Sequence, residues 1–255
     1  MRKIYILICF FYNKFFSYVE KIFLYKSKKK IMLSNLSQKG FEIIKFENNF
    51  FLNNPELSVK VNSYMIKNIM KNNDILEYIE LLFKKFDLKK VITNRTGYEY
   101  SIDYIISYTT YKLPESEVKK EIYANQWHKD KPFSKNTLKI IIPLNYPNSY
   151  NGGIQILDFE QTKKFQKGNM NFENDRYFDM ESKLHHILLF LPNLCYHKAG
   201  NPEVNEGRKQ IMIQLNPSFR WSVNQNLYKK QFKTEPKFPF FSYLFDKKIL
   251  LKNNK

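Results

Sequence analysis

Apolar and polar positions change period midway along this chain. Residues 40–51, "GFEIIKFENNFF", alternate enough for a short strand and turn. Residues 55–71, "PELSVKVNSYMIKNIMK", space apolar side chains three and four apart and predict a helix. Residues 74–86 predict a second one, with Asp74 at the N-cap and Glu77 at capping-box spacing. From Tyr98 onward "YEYSIDYIISYTTYKL" is rich in aromatic and β-branched residues, as strands are. Further strands are predicted at 138–146, 154–159, 185–193 and 208–217, with the turn "PNSYNGG" between the first two. A polar stretch to about Lys183 reads as a long loop. Helices first and at least five strands afterwards predict a mainly β fold with N-terminal helices (α+β). An antiparallel sandwich or barrel, faced by those helices, fits that order. In "RKQIMIQL" the alternation puts Arg208, Gln210, Met212 and Gln214 on one face, the more polar one, which is expected to line the mouth of a barrel.

The first 31 residues stand apart from this pattern. Ile4 to Tyr12 is an unbroken apolar run, too short to span a bilayer, which needs about 20 residues. Arg2 and Lys3 precede it as in a signal peptide, but the chain has no alanine before Ala124 and so no A-x-A cleavage site. Residues 1–31 are expected to form an amphipathic or disordered extension that the fold can do without. The alternative is peripheral membrane contact, with "KSKKK" on lipid headgroups. Residues 32–230 then form one domain, with Met32 a candidate start, and residues 231–255 a basic, aromatic tail.

The chain has 255 residues, enough for a full core, and a formal charge of +18. That charge suggests nucleic acid or an anionic surface as partner. The balance of 37 Lys to 5 Arg argues otherwise. A phosphate-reading surface favours Arg, whose planar fork pairs phosphates bidentately, whereas an AT-rich coding sequence loads Lys everywhere. Nucleic acid is therefore discounted as the partner. Cys9 and Cys195 form neither a disulfide framework nor a CxxC zinc motif, and the reducing cytoplasm is the default location.

Candidate chemistry sits in two segments. "NQWHKDKPF" contains His128-x-Asp130, and residues i and i+2 of a strand present their side chains to one side. With four His and eight Asp, chance alone gives such a pair in about one of eight sequences like this. The second segment, "LCYHKAGNPEVNEGR", places His197 beside a turn and Arg208 at the start of the next strand. Two His and one carboxylate, with three positions left open, are the donor set of non-haem Fe(II) oxygenases. Arg208 adds a bidentate anchor for a carboxylate, and Glu206 is its sequence-near alternative partner. Gln210 shares the face of Arg208 and is either a second donor to that carboxylate or an ordinary lining residue. Gln126 shares the parity of His128 and is a candidate cosubstrate or substrate contact. Trp127 points the other way, into packing. Cys195, His185 and His186 read as structural.

"WHKD", "LKIIIPLNYPNSYNGG" and "CYHKAGNPEVNEGR", in this order, resemble the phytanoyl-CoA dioxygenase family of Fe(II)/2-oxoglutarate oxygenases over residues 98–217. The resemblance implies a double-stranded β-helix (jelly roll, cupin-like). It implies Fe(II) on His128, Asp130 and His197, with 2-oxoglutarate as cosubstrate held at Arg208. It also implies a small-molecule, lipid or sugar-type substrate whose unactivated C–H bond is hydroxylated with dioxygen. Two features depart from the family: "EQTKKFQK" follows the strand at 154–159, and Gln210 stands where a small hydroxyl residue is common. A metal-binding cupin that is not an oxygenase, and a basic nucleic-acid or membrane-surface binding protein, are the rival readings.

Overall fold

Strands with one aliphatic and one mixed face build the molecule. The structure, a computed structural model, describes residues 11, 14–15, 17–25, 33–45, 57–69, 72–130, 134–145, 152–172, 177–180, 186–203, 207–224 and 248–251. In chain order the elements are α1 (Asn35–Lys39), β1 (Phe41–Lys45), β2 (Leu57–Asn62), β3 (Met65–Ile69), α2 (Asn72–Lys85), α3 (Leu88–Thr96), β4 (Glu99–Thr110) and α4 (Glu115–Val118). There follow β5 (Leu138–Pro143), β6 (Ile154–Ile156), α5 (Phe159–Gln166), β7 (Phe178–Asp179), β8 (His186–Phe190), β9 (His197–Ala199), β10 (Arg208–Ser218), β11 (Ser222–Asn224) and β12 (Lys248–Leu250).

The main sheet runs β1-β8-β5-β10-β4-β11-β12, with the β2–β3 hairpin added at β4. The small sheet runs β7-β6-β9. An antiparallel bridge between His128 and His197 extends it by one more segment. From β4 to β10 the chain passes main, small, main, small, then small, main, small, main. That alternation is the double-stranded β-helix, here mainly antiparallel, with α2 and α3 packed on the main sheet and α5 beside the small one.

The period-2 expectation holds where both faces are buried. All six residues of β5 are buried. Leu138, Ile140 and Ile142 join Ile211, Ile213 and Leu215 of β10 in a core shared with Ile79, Leu82, Phe83, Leu88 and Ile92 of α2 and α3. The spacing of 79, 82 and 83 is one helix face, and each fully buried side chain of this kind stabilises by roughly 1.5–3 kcal/mol. The opposite faces of β5 and β10 turn toward the small sheet, as the alternation of "RKQIMIQL" predicts.

Three local expectations fail. The predicted helix over 55–71 is the β2–β3 hairpin. Leu57, Val59 and Val61 alternate with polar residues, and Tyr64 N–H donates to Asn62 Oδ1 at 2.8 Å, an Asx turn that reverses the chain. Pairing of β3 with β4 then completes a sheet, and tertiary pairing overrides the weak helical spacing. The second helix begins at Asn72, so Asp74 lies inside it rather than at its cap. The loop expected to about Lys183 contains α5 and β7. Asp158 caps α5, accepting from the N–H of Glu160 and Gln161 at 2.9 Å each, while Gln161 reaches back to Asp158. This is a capping box in D-x-x-Q form.

Residues 17–23 are helical. Glu20 is buried and accepts hydrogen bonds from Ser134 Oγ and from Asn136 Nδ2, the latter at 2.9 Å. Tyr25 meets Tyr98 edge-on with ring centroids 5.3 Å apart. Phe15, Tyr18, Ile22 and Phe23 are exposed. No helix among the described residues is long and apolar enough to cross a membrane. Of the C-terminal tail, residues 248–251 alone are described, and "KSKKK" and Met32 lie outside the described residues.

Candidate metal centre

His128 and His197 are brought together by backbone pairing. His128 N–H donates to His197 O at 3.0 Å, and His197 N–H donates to His128 O at 2.9 Å. Residues opposed in this way present their side chains on the same face. The two imidazole centroids are 4.4 Å apart. Two residues on, Asp130 N–H donates to Pro192 O at 3.1 Å, which turns the carboxylate back toward both rings. Asp130 Oδ1 lies 3.7 Å from His128 Nε2 and 3.5 Å from His197 Nε2. These are the atoms of a group that could hold a metal ion, one donor from each residue, all within 4.8 Å of one another.

Electrostatics prepare the donors. His128 Nδ1 lies 2.8 Å from Gln126 O and His197 Nδ1 lies 3.2 Å from Cys195 O. A carbonyl only accepts, so each Nδ1 carries the proton and each Nε2 lone pair faces the cluster. Burial, followed by the neighbouring His197, pushes the His128 pKa down and favours the neutral ring a metal needs. Burial opposes ionisation of Asp130, but the Lys139 ammonium beside it outweighs this and holds the carboxyl well below the usual range. Lys139 Nζ pairs with Oδ2, which leaves Oδ1 for an ion.

Across the cavity, β10 carries Arg208, which is 3 % exposed. Its Nη1 donates to Gly152 O at 2.7 Å, and its Nε is buried with no hydrogen-bond partner among the described residues. Gly152 has φ +66°, a left-handed conformation that suits glycine. Burial works against the guanidinium's charge, and Tyr108, Tyr123 and Asp179 act in the other direction. Glu206 lies outside the described residues. Gln210 is buried on the same face and donates to the Tyr108 hydroxyl.

A cavity of about 280 Å³ joins these groups. His128, Asp130, Lys139, His197, Arg208 and Gln210 all line it. Gln126 is not among its lining residues. Its side chain donates to Val118 O at 2.6 Å, and it serves the site through its main-chain carbonyl alone. The parity argument for Gln126 assumed a continuous strand, and His128 sits in a single bridge instead. Trp127 faces away, stacking on Phe172 with centroids 5.8 Å apart, while Lys198 Nζ lies 5.0 Å from its ring centre. Cys195 is a free, buried core thiol whose pKa burial pushes up to about 12. His186 opens β8 opposite Lys45, and His185 lies outside the described residues. Sequence reasoning missed Lys139, a single polar residue in the apolar run "LKIIIP", although its parity opposite Leu138 and Ile140 is a signal for the cavity face.

No family model matches the sequence, and no curated protein matches it. Among solved structures the chain is similar to the non-heme alpha ketoglutarate dependent epimerase SnoN from nogalamycin biosynthesis, with a TM-score of 0.49, 11% identity, and 72% of this chain and 80% of that chain covered. It is similar to EctD from S. alaskensis with bound Fe, with a TM-score of 0.49, 12% identity, and 85% and 87% covered. It is also similar to HygX from Streptomyces hygroscopicus with nickel and 2-oxoglutarate bound, with a TM-score of 0.47, 9% identity, and 73% and 86% covered.

Proposed function

We propose that this protein is an Fe(II)- and 2-oxoglutarate-dependent oxygenase of the phytanoyl-CoA dioxygenase type, hydroxylating an unactivated C–H bond of a small molecule. One observation carries the reading. Two imidazole nitrogens and one carboxylate oxygen converge on one wall of a cavity whose opposite wall holds a buried, incompletely satisfied arginine.

The donor set fits iron. Both rings turn Nε2 toward the cluster, Asp130 is anionic, and two His with one carboxylate leave positions open. Iron held there supplies oxidation of a C–H bond by dioxygen, coupled to decarboxylation of 2-oxoglutarate to succinate and carbon dioxide. The protein's part is positioning and electrostatics. Gln126 O and Cys195 O fix the two ring orientations. Lys139 keeps Asp130 ionised and fixes which oxygen is free. Arg208, braced on Gly152 O, has donors left for a planar carboxylate, and such charge-assisted bonds are worth about 1.5–3 kcal/mol. Gln210 sits two residues along the same face. Its amide is engaged by Tyr108, which leaves its carbonyl group to orient a ligand hydroxyl or amide.

The test is direct. Anaerobic protein with Fe(II) and 2-oxoglutarate is expected to develop a weak visible charge-transfer band, and in air to form succinate only when iron is present. Iron binding without 2-oxoglutarate turnover would make the chain a metal-binding cupin instead.

A further inference from the structure

We infer that the substrate bears an anionic headgroup, a carboxylate or phosphate monoester, received by Lys67 on the β2–β3 hairpin. The inference rests on the oxygenase reading for the roles of the other charges in the cavity.

Register places Lys67. It is the cross-strand partner of Tyr108, which is the partner of Gln210, which is the partner of Pro143. Residues in such a row share one face of the sheet. Tyr108 and Gln210 line the cavity, and Lys67 lines it beside them. The hairpin therefore lengthens the main sheet and carries a cation to the cavity rim.

The other charges of the wall are accounted for. Its charged residues are Lys67, Asp130, Lys139, Lys198 and Arg208, so it has one anion among four cations. Lys139 pairs with Asp130. Lys198 lies over the Trp127 ring. Arg208 is braced on Gly152 O. A divalent metal and a cosubstrate dianion cancel in charge, so even with the cosubstrate's far carboxylate resting on Arg208 the wall keeps an excess of positive charge. Lys67 is left half-buried with no ion pair to a described residue. A substrate anion supplies the missing counter-charge. Next to it the wall is apolar, with Val61, Met65, Ile106 and Met212 lining the cavity. The ligand that fits this pattern has an anionic head and an apolar body.

Calorimetric titration of octanoate, octyl phosphate and 1-octanol into the anaerobic Fe(II)- and 2-oxoglutarate-loaded protein tests this. Both anions are expected to bind at least about tenfold more tightly than the alcohol, and their relative affinities distinguish carboxylate from phosphate. Lys67→Met should reduce the preference to within about twofold, and Lys67→Arg should keep it. Three results would overturn the proposal: no binding of either anion, equal binding of anion and alcohol, or a preference that survives in Lys67→Met. The same titrations on metal-free protein separate this failure from that of the oxygenase reading. If iron does not bind, the oxygenase reading falls, while the preference set by Lys67 stands or falls in those titrations on its own.

Discussion

The two sheets that face each other across the cavity are unequal. In the main sheet β4 has 12 residues and β10 has 11, paired from Arg208↔Thr110 to Ser218↔Glu99. In the small sheet the strands have three, two and three residues, and His128 joins by a single bridge. The three metal-binding candidates come from the short side, while Arg208, Gln210, Lys139 and Lys67 come from the long side. A long, helix-backed sheet holds its side chains without help. A short one has few ladder hydrogen bonds per strand and gains rigidity from whatever ties its ends together. The candidate anion-binding groups thus stand on the long sheet, and the candidate metal-binding groups stand where a bound ion would act as a clasp.

Removing the clasp is expected to give the largest effect. His197→Ala and Asp130→Ala should each weaken Fe(II) binding at least about a hundredfold and take succinate formation below detection. Asp130→Ala also deprives the buried Lys139 of its ion pair, and should lower stability by about 1–3 kcal/mol in urea unfolding. The double variant Asp130→Ala/Lys139→Met should recover that stability without recovering the metal. Wild-type succinate yield in either single variant would remove that residue from the centre.

Supplying the ion is the complementary experiment. At a hundredfold excess over its dissociation constant, a metal that binds only the folded state stabilises by about 2.7 kcal/mol. Amide exchange should show that protection concentrated at residues 126–130, 154–157 and 196–199. The centres of β4 and β10 should change less than about twofold. Equal protection of both sheets would show that the ion does not act as a local clasp on the small one.

The outer side of the main sheet has its own test. Burial lifts the Glu20 carboxyl to about 6, partly offset by the hydrogen bonds from Ser134 and Asn136. Its folded pKa therefore lies above the unfolded value of 4.5. The folded state binds the proton more tightly, so this contribution is full below pH 4.5 and is lost as pH rises through 6, by about 2 kcal/mol. Glu20→Gln should flatten the fall in thermal midpoint over that window. Deletion of residues 1–31 removes Glu20 and the Tyr25–Tyr98 contact, and is expected to lower the midpoint by several degrees.

The smallest predicted effect sharpens the division of labour. Arg208→Lys keeps the charge and loses the fork, so the Michaelis constant for 2-oxoglutarate should rise about tenfold while iron affinity stays within about twofold. If iron affinity falls with it, the two walls are not independent.

Legibility follows the same inequality. β4, β5 and β10 are readable because burial on both faces imposes strict alternation of apolar side chains with cavity-facing ones. That His128, Asp130 and His197 come together in a cavity also lined by Arg208 was legible as an expectation, from their residue types and order in the chain. The β2–β3 hairpin was not, since "SYMIKNIM" offers apolar spacings that serve helix and strand alike. The helix α5 was missed although Asp158 and Gln161 spell its cap. The partner of Asp130 was not legible at all. Lys139 meets it through the pairing of β5 with β8 and β10, which no local pattern encodes.

The pairing of His128 with His197 also orders events in time. The two are 69 residues apart in the chain. Closing a loop of that length costs on the order of 4 kcal/mol in chain entropy before its own contacts repay it. Inside that loop β5 pairs with β8 over a shorter separation, from Lys139↔Phe190 to Ile141↔Leu188, and so closes at lower entropic cost. If the centre holds iron as proposed, the three donors are expected to meet only after this loop closes. Metal loading would then be a checkpoint that a finished molecule passes, rather than a nucleus around which it forms.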